Sequence, residues 1–364
     1  MNFKIPVCLS ALILTHSASV GAAEPNLFDF DAITDNYQSN LSTTPQQPMQ
    51  PSKKSVTQHF DVYGDFLYWQ PLVSNAYWGE KLSNNSTNIQ QFRFAFNWDS
   101  GFRIGAQFNA SWENISVDAN WTRFHTSSTN TQSNIAVFSN INTPNFDLYA
   151  LPGADYSYGD PWQIQATFNL QFDQGDFTFK KPLNFSKNFT LSPFGGLRGI
   201  VVDYTLNSVR NSIKYGGGST TPLGPFNTSV LNVKDKMKSI GLLGGLNGNL
   251  MLGAGFSLYF GGDFFVGYGT DQASNNSLAL FQGIASNSTS LTQQTVGSIK
   301  TMFDLSTGLT WNRNFANDRA NLFFGAGYEF HALNNAPLFL YSGANEAMKT
   351  TAFQGLTIRG ALGF

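Results

Sequence analysis

The sequence predicts an all-β fold: a transmembrane antiparallel up-and-down β-barrel of about ten strands, with long external loops and short periplasmic turns. Three observations carry this expectation. Long stretches alternate apolar and polar residues with a period of two. The chain is poor in charge and rich in aromatics. An export signal is followed by no apolar run long enough for a membrane helix.

The clearest alternation is "WQIQATFNLQFD", residues 162–173. Trp162, Ile164, Ala166, Phe168, Leu170 and Phe172 alternate with Gln163, Gln165, Thr167, Asn169, Gln171 and Asp173. A period of two marks a strand with two unlike faces, and this run outlasts the roughly 5–6 residues usual in soluble domains. A transmembrane strand needs about 9–11 residues, with lipid on one side and the lumen on the other. Phe168, Leu170 and Phe172 are therefore expected to meet acyl chains, with Gln165 and Thr167 toward the lumen. The pattern recurs in "FSLYFGGDFFVGY" (256–268), "MFDLSTGLTW" (302–311) and "NLFFGAGYEFH" (321–331).

Of 364 residues, 15% are aromatic and 12% charged, against about 25% charged in an ordinary soluble domain. The formal net charge is −2, and Lys and Arg do not gather into the basic footprint that nucleic acid requires. No nucleic-acid partner is expected.

Residues 1–23 read as a signal peptide. Lys4 precedes an apolar run from Ile5 to Leu14, and Gly21-Ala22-Ala23 offers small residues for cleavage near Ala22/Ala23. That run is shorter than the about 20 residues of a membrane helix. The single cysteine, Cys8, lies within it, so the mature chain has no thiol for a disulfide or a metal. Residues 24–59 form a periplasmic N-terminal segment with a Pro/Gln-rich linker, "TTPQQPMQPSKK". Residues 60–364 form the barrel, in the bacterial outer membrane, since closed barrels are the alternative to helices in lipid.

Ten strands fit at about 60–71, 91–110, 115–125, 162–180, 189–205, 236–250, 256–269, 295–312, 320–333 and 351–364. Long connections at 72–90, 126–161, 206–235, 270–294 and 334–350 fall outside, and both chain ends fall in the periplasm. "NWDSGF" (97–102) and "FDQGDF" (172–177) read as bulges or bends. Treating both as hairpins gives the alternative of twelve strands. An aromatic girdle is expected at the two interfaces: Trp69, Trp121, Trp162, Tyr204 and Tyr268 at the external ends, Trp112 and Trp311 at the periplasmic ends.

Parity turns Asp61, Asp65, Arg93, Arg103, Asp118, Arg198, Asp263, Asp304, Glu329 and Arg359 inward. Arg103, Asp304, Glu329, Arg359, Asp263 and Asp118 are the leading lumen-lining and selectivity candidates, because charges in a pore set ion preference. The alternative, that they pair across the barrel and fill it, stays open. Arg198 shares parity with Phe194, Ile200 and Val202, so its inward facing calls for a bulge near Pro193. Ten strands leave a narrow passage at best.

No catalytic residues, cofactor or metal site are expected. His59, His125 and His331 are widely separated, without HExxH or a closely spaced ligand set. "YGGGSTT" (215–221) lacks a P-loop's GK[ST].

"DVYGDFLYWQP", "FNWDSGFRIGAQF", "LSPFGGLRG" and "AGYEFHAL", in this order, resemble the major outer membrane protein family of the Legionella and Chlamydia type. The resemblance runs through most of residues 60–364. It implies a porin-like surface barrel passing small hydrophilic solutes or ions, in several members oligomeric. The rival expectation is a structural or adhesin-type surface protein whose barrel anchors interaction loops. Without mature cysteines, the disulfide-linked network of some members is not expected. The expected partners are outer-membrane lipid and lipopolysaccharide, the barrel-assembly machinery and, as one option, further copies of the chain. By resemblance to such barrels, the terminal Phe364 is the residue that the assembly machinery reads.

Overall fold

The computed structural model describes residues 59–73, 77–82, 89–110, 115–135, 162–215, 222–281, 284–315, 320–334 and 350–364. The expected export signal, the Pro/Gln-rich segment, Trp112 and the side chains of Trp162 and Arg93 lie outside what is described.

The strands are β1 (His59–Val73), β2 (Tyr77–Leu82), β3 (Ile89–Arg93), β4 (Asp99–Ala110), β5 (Ile115–Ile135), β6 (Trp162–Lys180) and β7 (Leu183–Asn184), followed by β8 (Phe189–Tyr215), β9 (Pro222–Gly253), β10 (Phe256–Phe281), β11 (Ile284–Phe315), β12 (Ala320–Asn334) and β13 (Thr350–Gly363). Ten of them close into an antiparallel barrel in the order β1-β4-β5-β6-β8-β9-β10-β11-β12-β13. The seam joins β13 to β1 from Asp61↔Gly363 to Val73↔Thr351. Phe364 completes it, its N–H donating to the Phe60 carbonyl and the Phe60 N–H donating back. Strands β2 and β3 form a separate hairpin, and β7 pairs only with β8. The expected twelve-strand alternative is thereby set aside.

The strand ends facing the short connections 111–114, 181–188, 254–255 and 316–319 define a turn end; the others define a loop end. At the turn between β9 and β10, Gly253, Ala254 and Gly255 all have positive φ (103°, 52° and 83°). A Cβ on Gly255 would also lie 2.5 Å from the Asn312 carbonyl oxygen, so this corner suits glycine.

The staves are unequal. On one side β1, β4, β12 and β13 run 12–15 residues. On the other, β9 and β11 run 32, about three times what a bilayer requires. Segments 206–215, 222–235, 270–281 and 284–294, expected as external connections between the ten alternating stretches, are strand. Side-chain pairs tie their polar rows together across the strands, as between Thr228 and Asn211 and between Ser290 and Asn276.

The outward surface near the turn end is apolar: Phe60, Phe66, Phe102, Phe177, Phe179, Leu242, Phe264, Leu305 and Ile358 are all exposed. Toward the loop end the same outward parity becomes polar. On β6 the switch falls between Asp173 and Phe177, with register unbroken from Trp162 to Lys180 against β8. "FDQGDF" is therefore neither hairpin nor bulge but the level at which the strand enters lipid. "NWDSGF" does mark a break, because residues 94–98 leave the ladder and β4 starts at Asp99.

This corrects the facing expected for residues 162–173. Ala166, Phe168, Leu170 and Phe172 point into the barrel and are buried, Phe168 to 0% exposure. Gln163 and Gln165 face water on the outside. An amphipathic period is equally satisfied by lipid-and-lumen or by core-and-solvent, and here the strand stands above the apolar band. Trp69 and Tyr204 are corrected likewise. Each is 1% exposed inside the barrel, not in an interfacial girdle. Trp121 and Tyr268 do face outward, Trp121 edge-on to Phe102. Trp311 stacks on Phe324 near the turn end.

Candidate functional site: the lumen

Inward side chains fall into layers. Nearest the turn end, a polar cavity of about 340 Å³ is lined by Tyr63, Asn247, Asn249, Tyr259, Ser306 and charged groups including Asp118, Lys180, Arg103, Arg198 and Arg359. Above it lies a continuous ion-pair network. Above that, buried apolar side chains fill the barrel.

The network runs across the lumen and around it. Arg359 on β13 holds both oxygens of Asp65 on β1 at 2.7 Å. Arg103 on β4 donates to Asp65 at 3.0 Å and to Thr122 at 2.9 Å. The same guanidinium reaches Glu329 on β12 through two 3.0 Å bonds. His331, two residues on, contacts Glu329 at 3.2 Å through Nε2 and Asp304 at 2.9 Å through Nδ1. Asp304 on β11 accepts from Arg198 on β8, which also forks onto Asp176 at 2.8 and 3.0 Å and reaches Asp263 at 3.1 Å. Arg103–Glu329 and Arg198–Asp304 join strands that are not neighbours in the barrel, so they are ties across its bore. Bidentate pairing and shared carboxylates are what a desolvated cluster needs to offset burial.

The six leading charge candidates all face inward. Five of them, Arg103, Asp304, Glu329, Arg359 and Asp263, belong to this one network. Asp118 stands apart from it, accepting from the Tyr63 hydroxyl at 3.1 Å and facing Lys180 at 3.6 Å. Arg198 is inward without any bulge, because β8 keeps register with β9 from Phe189 to Ser212. Ile200 and Val202 share its parity because the interior above it is apolar, whereas Phe194 lies below it and lines the turn-side cavity. Asp176 and His331 were not among the sequence candidates. The alternation of 321–331 turns His331 inward with Glu329, as the structure has it, and the signal for Asp176 was its position opposite Arg198.

Above the network, Trp69 covers His331 at a ring distance of 4.6 Å and tilts against Phe124 and Phe353 at 5.7 and 6.1 Å. Phe172 meets Phe353 at 4.7 Å. Leu67, Ile200, Val202, Leu243, Phe265, Met302 and Leu333 complete a core drawn from staves all around the barrel. Phe94 and Phe96, in the irregular stretch before β4, pack on Phe168 from above at 5.3 Å each. Polar groups stay inside this core, among them Lys300, which bonds Asp271 at 2.7 Å, and the Tyr204 hydroxyl, which pairs with Thr351 at 2.9 Å. Burial holds the Tyr204 phenol above its ordinary pKa, so it remains neutral. Among the described residues no group of three or more His, Cys, Asp or Glu is placed to hold a metal ion.

Comparison with known proteins adds the following. No curated protein matches the sequence. Among solved structures, the outer membrane protease OmpT of Escherichia coli is similar over 85% of this chain and 97% of its own, at 11% identity and a TM-score of 0.38. The attachment invasion locus protein Ail of Yersinia pestis is similar over 84% and 97%, at 9% and 0.20. A Pseudomonas aeruginosa FadL homologue is similar over 85% and 90%, at 8% and 0.24. Scores this low leave the description of the barrel resting on its own strand register. A family model described as the Legionella pneumophila major outer membrane protein precursor matches residues 53–362. A match spanning nearly the whole barrel is decisive where single motifs are not: the chain belongs to the Legionella major outer membrane protein family.

Proposed function

We propose that this outer-membrane barrel works as a closed stem, holding a tall polar rim and its loops at the cell surface for structural or adhesive contact. The carrying observation is the filled bore. Trp69, Phe124, Phe172, Phe265, Met302 and Phe353, from six different staves, are each 0–1% exposed. Directly beneath them Arg103–Glu329 and Arg198–Asp304 tie the wall together. Side chains packed in this way narrow the bore at their level, and dry constrictions stop ions. The lumen is also a poor place for catalysis, since both ring nitrogens of His331 are held by carboxylates and Trp69 covers the ring. The reading is tested by liposome swelling with small sugars. Reconstituted wild-type barrel should swell vesicles no faster than empty controls, and swelling that falls with solute size would reverse it.

A second reading, passive diffusion of small hydrophilic solutes, is favoured by the charged cavity of about 340 Å³ on the turn side. It requires the apolar core to part in the native barrel, so its signature is flux of small solutes through the wild type that falls with solute size.

A further inference from the structure

The outward face of β9 carries Lys234, Lys236 and Lys238 at alternate positions. Successive lysines on one strand face stand about 7 Å apart. Immediately below them, on the same parity, come Ile240 at 66% and Leu242 at 70% exposure. Beside Ile240 in register lies Tyr268, also outward and 60% exposed. The lysine row therefore begins where the apolar band ends, at the loop-end rim of the membrane.

The neighbouring strands offer little to neutralise it. Outward groups on β8 at these levels are Val201, Asp203 and Thr205, and on β10 Thr270, Gln272 and Ser274. Asp203 pairs with Lys236 at 3.0 Å. Lys234 and Lys238 form no ion pair among the described residues. Below the lysines, the lipid-facing Gly195, Gly199 and Gly244 carry no side chain, and a Cβ built on any of them meets nothing closer than 3.7 Å. They leave two shallow gaps in the lipid-facing surface, one at Gly199 beside Ile240 and one at the paired Gly195 and Gly244, with the Leu197–Leu242 pair between them.

We propose that this face binds the phosphorylated headgroup of an outer-leaflet lipid, its phosphates on Lys234 and Lys238 and its acyl chains against Leu197, Ile240 and Leu242 below. The loop end faces outward because short turns lie on the periplasmic side of such barrels. Lysine stems can lie along the apolar rim with their ammonium groups at headgroup level. Tyr268 marks the same interface. Each lysine beside an anionic lipid surface strengthens binding by about fivefold, and salt weakens this. The inference stands whether or not the lumen conducts.

The test uses the full barrel in detergent micelles, with bisphosphorylated lipid A and the same lipid stripped of phosphate as probes, and native mass spectrometry as readout. Wild type should retain the phosphorylated lipid, and inorganic phosphate should not displace it. The K234Q/K238Q variant should hold it about 25-fold more weakly at low salt while remaining fully heat-modifiable. The stripped lipid should bind both proteins equally weakly. K187Q, at the opposite end, should match wild type. Equal retention by wild type and K234Q/K238Q, equal retention of both lipids, or an equal loss in K187Q would each overturn the proposal.

Discussion

Arg103 on β4 reaches over two intervening strands to grip Glu329 on β12 with paired 3.0 Å bonds. The contact closes the bore from one wall to another and depends on Asp65, Thr122 and His331 to satisfy the remaining donors and acceptors. Glu329→Ala leaves the guanidinium facing a cavity without one of its two carboxylate partners. It should destabilise the barrel by about 3–5 kcal/mol in urea unfolding from lipid vesicles. The paired Arg103→Met/Glu329→Leu variant should be much milder, because no charge is stranded. A loss of under 1 kcal/mol for Glu329→Ala alone would mean the tie contributes little.

The layer boundary on β6 gives a second expectation. Gln165→Cys and Phe177→Cys sit on one parity of the same strand, one above the apolar band and one within it. In intact cells a membrane-impermeant thiol reagent should label Cys at 165 and not at 177. Labelling confined to 177 would invert the proposed placement of the strand in the bilayer.

Arg substitutions separate the faces by energy. Phe177→Arg puts a charge into lipid, at a cost of about 2–4 kcal/mol near the midplane. Phe168→Arg forces a charge between Phe94, Phe96 and Tyr204, in a packed aromatic layer, and should impair folding at least as much. Gln165→Arg should stay within about 0.5 kcal/mol of wild type, as surface changes usually do. Similar losses at 165 and 168 in a refolding titration would contradict the inward facing of Phe168.

Strand number and order were legible because each short connection interrupts an alternating run. The six leading charge candidates could be turned inward from parity alone. What parity could not say was what lay on either side of a strand. For Phe168 and Leu170 the choice between lipid and core depends on height relative to the membrane, and height shows only where the outward face changes character, from Asp173 to Phe177. Trp69 and Tyr204 were misplaced for the same reason, since an aromatic near a strand end suits an interface as well as a buried plug. The tall rim was hidden by composition. Ser, Asn and Thr between 270 and 294 resemble loop sequence until their cross-strand partners are known.

The seam gives Phe364 a structural role. Its N–H and carbonyl both pair with Phe60, and its ring is exposed on the lipid side. Deleting Phe364 should lower the yield of heat-modifiable barrel in outer membranes, and Phe364→Ala, which keeps the backbone pair, should lower it less if the seam dominates. Full yield from the deletion would exclude both an assembly and a seam role.

Planar-bilayer recording addresses the closed stem most directly. Wild-type barrel, purified and shown to be folded by heat modifiability, should give no stable conductance steps. The Trp69→Ala/Phe172→Ala/Phe353→Ala variant, which empties the aromatic layer above His331, should give small, reproducible steps. Regular open-channel steps from the wild type, of the same size as those from the emptied variant, would contradict the account and establish the barrel as a pore.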